Sequence, residues 1–400
     1  MHDSLTKLGC FHKVNAVIDV SAEGDKELEV RFNVEELPLT YVDGALETGD
    51  NEVIAVARAG IPNYTGKGER LETRLKLGTN GTQHVSLDYK MPIRHSLLLK
   101  MSGGTLCNSS FIASLYRKTH LLTWSSLKAN LNGLCLSARL SPLPWITQVV
   151  SWDCSWRQLL PLDHPGFVSR SMCGHSLKSS LINTLTINTL DTLSTPSNGI
   201  NVKLDQELAG LGIGNVAYFK TELSGGFYKQ IANNLVIGTT FAGGNISHMI
   251  PSDDACNVRT GLACDKFTLG GPILMRGFRN HRLGDVEDGD YLGVNAFWRV
   301  AVHALTKRLP FSRGDSWIAN NVRAHIFAET CQAGNPTGGS YLKWLFENAT
   351  ARPRASLGLG LLVRLGEFGR AELNYSIPVS SKIGDSLSNG LQFGIGVVFS

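Results

Sequence analysis

Gly390-Leu-Gln-Phe-Gly-Ile-Gly-Val-Val-Phe-Ser400 closes the chain, and its alternation decides the fold. Side chains along an extended backbone point to opposite faces with a period of two. Leu391, Phe393, Ile395, Val397 and Phe399 therefore share one face, and Gln392, Gly394, Gly396, Val398 and Ser400 share the other. One face is large and apolar, the other mostly small. That pattern suits a strand standing between lipid and the lumen of a barrel.

The same reading extends toward the N-terminus. Alternation recurs at 69–77, 84–89, 206–211, 218–223, 295–302 and 355–365, with turn signals at Asn80-Gly81, Gly225-Gly226 and Gly243-Gly244-Asn245. Charged residues make up only 18% of the 400 residues, and glycines number 42. A soluble chain would carry charge nearer a quarter of its length. No window reaches the roughly 18–20 consecutive apolar residues of a spanning helix. At roughly 20–22 residues per strand and connection, 43–400 predicts an antiparallel transmembrane β-barrel of about 16 strands. A soluble β-rich binding protein, such as a lectin or sandwich array, is the rival fold. The net charge of +4, without a dense Lys/Arg cluster, gives no argument for nucleic acid.

Before the barrel, residues 1–42 read as a β-hairpin. Val14, Ala16, Ile18 and Val20 alternate, a turn follows at Glu23-Gly24-Asp25, and Leu28, Val30, Phe32 and Val34 form an apolar face opposite Glu29, Arg31, Asn33 and Glu35. Two strands alone cannot bury a core.

One segment stands out for chemistry: Phe267-Thr-Leu-Gly-Gly-Pro-Ile-Leu-Met-Arg-Gly-Phe278. An arginine at membrane depth must face a polar interior and find a partner. On these residues the chain resembles the outer-membrane β-barrel assembly superfamily, whose sixth loop carries an Arg-Gly-Phe/Tyr tip and folds back into the lumen of a sixteen-strand barrel. Trp124-Ser-Ser-Leu127, Trp152-x3-Trp156-Arg157, Gly174-His-Ser-Leu-Lys-Ser-Ser-Leu181, Val322-Arg-Ala-His-Ile-Phe-Ala-Glu329 and Arg370-x-Glu-Leu-Asn-Tyr375 extend the resemblance to its mitochondrial sorting-and-assembly branch.

The resemblance implies a function without covalent chemistry: folding and inserting β-barrel precursors into the mitochondrial outer membrane, with both termini toward the intermembrane space. It implies the porin and import-channel precursors as clients, metaxin-like peripheral subunits as partners, and membrane lipid as surroundings. It makes 1–42 the last hairpin of a partial POTRA module, in a chain that is N-terminally shortened or an incomplete gene model. Arg276, Gly277 and Phe278 become a lumenal latch, with Glu329 as acidic partner through the family's Phe-x-acidic-x-Gly strand pattern. Here Phe327 and Glu329 are present and Cys331 replaces the glycine; Val294 likewise stands where a glycine is expected. The first strand is placed at 52–59, so Val53, Ile54, Ala55 and Val56, with Gly390, Phe393 and Ile395 of the last strand, form the expected lateral gate. The alternative function is a passive porin or a related protein-translocation channel.

Enzyme motifs fail on inspection, and no catalytic residue, cofactor or metal ligand is assigned. Gly174-His-Ser176-Leu-Lys178 is one glycine short of a nucleophile elbow. Gly66-Lys67-Gly68 lacks the spacing and hydroxyl of a phosphate loop. Asp285-Val-Glu-Asp-Gly-Asp290 resembles a calcium loop only in being acidic. The cysteines, at 10, 107, 135, 154, 173, 256, 264 and 331, form no CxxC pair and read as free thiols. His281, His303 and His325 read as wall or loop residues. The first residues lack the charged and apolar regions of a secretory signal, which favours an organelle outer membrane.

Overall fold

Period-two alternation is realised as one continuous antiparallel sheet. A computed structural model describes residues 11–20, 28–49, 52–93, 109–249, 261–309, 317–336, 341–349, 351–365 and 369–397. The expected turn at 23–25 and positions 398–400 of the closing pattern lie outside the described residues.

In chain order the strands are β1 (Phe11–Val20), β2 (Leu28–Glu36), β3 (Tyr41–Gly49), β4 (Glu52–Pro62), β5 (Arg70–Gly78), β6 (Gln83–Pro92), β7 (Ser110–Leu122), β8 (Leu127–Leu143), β9 (Ile146–Pro161) and β10 (Gly174–Asn188). They continue as β11 (Gly199–Ala209), β12 (Tyr218–Ala232), β13 (Leu235–His248), β14 (Val286–Glu287), β15 (Asp290–Tyr291), β16 (Ala296–Thr306), β17 (Val322–Gly334), β18 (Arg354–Leu365), β19 (Gly369–Ser380) and β20 (Gly390–Val397). β3–β13 and β16–β20 join neighbour to neighbour into a 16-stranded sheet, while β14 and β15 form a small ribbon of their own.

The sheet curls into a barrel until its two edges, β3 and β20, stand side by side. Among the described residues no hydrogen-bonded ladder joins them. The expected sixteen strands are present, but the first is β3, one strand earlier than expected. Val53–Val56 sit on β4, paired to β3 on one side and to β5 on the other. The reading passed over β3 because Asp43, Gly44, Glu47 and Gly49 break its apolar pattern. Its lipid side nevertheless carries Val42 and Leu46, both well exposed.

Polarity is inverted relative to a soluble protein. Val300, Val302, Ile326, Leu357, Leu359, Leu373, Tyr375, Leu391 and Phe393 are exposed, whereas Arg299, His303, Glu329, Ser356, Glu372, Asn374 and Gln392 on the same strands are buried. Apolar outside and polar inside is the arrangement a lipid-embedded barrel requires. Among the described residues no helix is long and apolar enough to cross a membrane.

Two glycine clusters expected as turns lie inside strands instead. Gly225 and Gly226 belong to β12, and Gly243 and Gly244 to β13. The reason is packing: a Cβ on Gly244 would lie 2.5 Å from the Phe267 ring and 2.7 Å from the Phe297 ring. The glycine lets the connection after β13 approach the wall.

β1 and β2 pair as a separate two-stranded sheet. Its apolar face is not half-buried as expected: Ile18, Val30 and Val34 are exposed, since no described element covers a hairpin that cannot bury its own core.

Candidate functional site

The connection between β13 and β16 folds into the lumen rather than away from it. Phe267 and Val294 exchange backbone hydrogen bonds of 3.0 and 2.9 Å, and Leu269 bridges Leu283, so the segment descends and returns as an irregular hairpin. Its Phe267, Leu269, Met275, Phe278, Leu283 and Val294 form one apolar cluster with Ala209, Tyr218, Ile246, Phe297, Cys331 and Ala333 of the wall and Val216 of the β11–β12 connection. The two departures from the family pattern, Val294 and Cys331, are both fully buried here.

At the tip, Arg276 is 1% exposed. Its backbone N–H donates to Glu329 Oε2 at 3.0 Å, and its Nη1 forms an ion pair with Glu329 Oε1. On the other side Nε reaches Glu372 Oε2 at 3.1 Å and Nη2 the same oxygen at 2.5 Å. The guanidinium also stands 4.8 Å over the Phe327 ring. The contact expected with Glu329 is direct, without an intervening water. Glu329 comes from β17 and Glu372 from β19, so one side chain bridges two strands of the wall.

The cluster is extended at both ends. Arg299 Nη2 lies 3.4 Å from Glu329, and Arg370 Nε 2.9 Å from Glu372. Cations and anions thus alternate: Arg299, Glu329, Arg276, Glu372, Arg370. Asn374 donates to Glu372 at 2.9 Å and contacts His325 Nε2 at 2.7 Å. Burial works against the charged guanidinium of Arg276, and the carboxylates of Glu372 and Glu329 oppose that cost. A buried pair of this kind is offset against desolvation only if every partner stays.

Gly277 and Phe278 fasten the tip to the last strand. Gly277 N–H donates to Gln392 Oε1 at 2.8 Å, and Gln392 Nε2 returns a bond to the Phe278 carbonyl at 3.2 Å. Gly277 has φ of 85°, a region that favours glycine. On β20 the small inner face has a direct use. A Cβ on Gly394 would lie 2.8 Å from Pro272 Cγ, and one on Gly396 2.6 Å from Ile273 Cδ1. Phe393 and Ile395 point the other way, and Gly390 opens the strand with φ of 102°.

Sequence reasoning missed two groups. Glu372 lies in the run Arg370–Tyr375 that carries the family resemblance. Its role was readable from parity, since Arg370, Glu372, Asn374 and Ser376 share the polar face of β19. The second is an ion pair at the base of the connection. Arg157 of β9, 2% exposed, meets Asp265 Oδ1 at 2.6 Å. Tyr218 Oη donates to the same oxygen at 3.2 Å, and Lys220 Nζ donates to the Asp265 carbonyl at 2.9 Å. Burial pushes the neighbouring Cys264 thiol up to about 12, which keeps it neutral beside this pair. No local pattern links Arg157 to a residue 108 positions away.

The acidic run rejected as a calcium loop ties the connection to the rim. Asp290 accepts the Gly166 N–H at 2.8 Å and the Ser126 hydroxyl at 2.6 Å, Asp288 accepts the Phe167 N–H at 3.1 Å, and Asp285 pairs with Asn335. Among the described residues no cluster of His, Cys, Asp and Glu could hold a metal ion. His281 stacks on Trp124 at a centroid distance of 3.9 Å, while His303 and His325 lie in the wall.

A sixteen-strand transmembrane barrel, filled on one side by a connection that is ion-paired to its wall, is the class of protein this geometry defines. The Omp85 superfamily domain matches residues 63–399. A human sorting and assembly machinery component 50 homolog is 33% identical over 405 residues, covering 99% of this chain and 81% of its own length. The Xenopus laevis homolog B is 32% identical over 404 residues with the same coverage, and a SAM50-like protein of Schizosaccharomyces pombe is 29% identical over 409. This chain belongs to the Omp85 superfamily, within its family of sorting and assembly machinery component 50 homologues. Its fold is similar to the structure of BamA from Haemophilus ducreyi lacking POTRA domains 1–3, at a TM-score of 0.76 and 17% identity, over 100% of this chain and 77% of that one.

Proposed function

We propose that this chain folds and inserts β-barrel precursors into the mitochondrial outer membrane by templating strands at the seam between β3 and β20. One observation carries the reading: among the described residues, the two edge strands lie alongside each other without a ladder. A strand edge that lies outside a ladder offers its N–H and C=O groups as a template for another chain. In hydrocarbon such groups must be satisfied, so a precursor strand that pairs there is held in the one conformation compatible with lipid. A passive channel has no need of an unpaired seam, and the relatives are named for sorting and assembly.

In this reading β3 supplies the receiving edge, with Val53, Ile54, Ala55 and Val56 of β4 as the wall behind it. Gly390, Phe393 and Ile395 belong to the edge that moves away. Arg276, Gly277, Phe278 and Glu329, joined by Glu372, act as a latch holding the lumenal connection against β17, β19 and β20. Both termini face the intermembrane space, where the β1–β2 hairpin, as part of a POTRA module, guides or releases precursors. Precursors of porin and of the import channel are the clients, and metaxin-like subunits bind peripherally.

The test is import of radiolabelled porin precursor into mitochondria depleted of this chain and re-supplied with it. Restored protease-protected porin supports the reading. Unchanged porin assembly on depletion, with a wide constitutive pore in planar bilayers, would establish the channel instead.

A further inference from the structure

Between β17 and β18, at the rim where the β13–β16 connection also lies, Tyr341–Ala349 forms a short helix. It is seated on the outside of the barrel. Tyr341 Oη donates to the Phe297 carbonyl at 3.0 Å. A Cβ on Gly243 would stand 3.1 Å from that hydroxyl and 3.9 Å from Trp298 Cβ, and one on Gly334 would be 3.6 Å from the Trp344 indole. Gly243 faces outward, because its neighbour Gly244 faces the lumenal rings of Phe267 and Phe297.

At 3.6 residues per turn the helix presents three stripes. Tyr341, Trp344 and Asn348 are half-buried toward the wall. Leu342 and Phe346, four apart and so on one face, are 61% and 74% exposed. Lys343 and Glu347 share the third stripe, 3.9 Å apart with side chains 73% and 62% exposed. Leaving a large apolar side chain in water instead of burying it forgoes about 1.5–3 kcal/mol. The barrel wall that continues from this rim carries exposed Val300, Val302, Ile326, Leu357 and Leu359, the surface that meets lipid.

We propose that Tyr341–Ala349 is an interfacial anchor: it lies in the headgroup layer at this rim, with Leu342 and Phe346 inserted among phospholipid acyl chains. The inference rests on the barrel's spanning the membrane. Phospholipid is the occupant because the apolar stripe continues the lipid-facing wall, while the ion-paired stripe is turned to water. A helix with apolar and aromatic residues on one side and charges on another binds in that plane, and Tyr and Trp concentrate at that depth. The anchor fixes the height of β17, the strand that carries Glu329.

The whole chain, reconstituted in phosphatidylcholine vesicles containing a phosphatidylcholine with a diazirine in its acyl chain, is photolysed and its adducts are mapped by mass spectrometry. Adducts on Leu342 and Phe346 at a yield similar to Ile326 and Leu359, with none on Lys343 or Glu347, are the expected result. The double variant Leu342→Asn/Phe346→Asn should lose the helix adducts and keep those on the wall. Labelled wall residues beside an unlabelled helix would overturn the anchor alone. Absence of label from both would overturn the membrane reading and the anchor with it. A photoreactive residue at position 346 that captures a protein and no lipid in outer membranes would also overturn it.

Discussion

The seam and the wall opposite it are built from the same alternation but held by different means. β8, β9 and β10 run for 17, 16 and 15 residues and are zipped by long registers, unbroken between β9 and β10 and shifted only near Leu140–Leu143 between β8 and β9. β3 and β20 have 9 and 8 residues and no ladder between them among the described residues. Each backbone hydrogen bond contributes about 0.5–1.5 kcal/mol net in water, and an unsatisfied group in hydrocarbon costs several. Parting β9 from β10 is therefore prohibitive, whereas parting β3 from β20 breaks no described ladder bond. The difference marks the seam as the least bonded junction among the described strands, and the lumenal connection as what ties β20 to the rest of the wall.

The sharpest way to break this contrast is to close the seam. Cysteines at Leu46→Cys and Phe393→Cys, joined by a short bis-maleimide, should lower porin assembly by at least roughly tenfold, equivalent to about 1.4 kcal/mol. A disulfide between Cys154 and Ser179→Cys, directly opposed on β9 and β10, should leave assembly unchanged. Equal effects from both staples would remove the distinction.

Next in size is the latch. Arg276→Ala leaves Glu329 and Glu372 buried and facing each other's charge, at a cost of about 3–5 kcal/mol. Limited proteolysis should then cut within the β13–β16 connection while the β8–β10 wall stays intact. Arg276→Lys should recover only part of the loss, because a single ammonium cannot fork to two carboxylates.

Asp265→Ala tests the far anchor in the same way, leaving Arg157 uncompensated. Tyr218 and Ser176 remain as neighbours of the guanidinium, so about 2–3 kcal/mol is expected by denaturant titration, below the Arg276 effect. The smallest effect is at Gly394→Ala, whose new Cβ would press on Pro272. About 1–2 kcal/mol, with proteolysis at the tip and not at the base, is expected.

Much of this was legible in the sequence where one face is bulky and the other small. Leu391 to Gly396 announced both the lipid side and the lumenal clearance. Arg276 announced a buried partner, and the resemblance, through the family's Phe-x-acidic-x-Gly pattern, pointed to Glu329. Reading failed where local chemistry and tertiary demand point different ways. Gly243-Gly244 carries a turn signature, yet its missing Cβ atoms accommodate Tyr341 on one face and phenylalanine rings on the other. β3 has too many acidic residues and glycines to read as a lipid-facing strand, although its acids serve the lumen, with Glu47 2.7 Å from Arg58 and 2.5 Å from Lys76. Arg157 and Asp265 are brought together only by closure of the barrel, which no window of sequence contains. The helix Tyr341–Ala349 carries no single-faced apolar pattern, because its apolar residues serve two surfaces rather than one.

A barrel with no ladder between its described edges is a split hoop, stiff everywhere except across the cut. The β13–β16 connection, tied to β9 through Asp265 and to β17, β19 and β20 through Arg276 and Gly277, is a spoke across that hoop. Its far end is fixed to the stiffest arc and its near end to the free edge. Outward movement of β20 therefore loads the spoke in tension, and the linkage that gives way first, at Gln392 or at Arg276, sets how wide the hoop can spring.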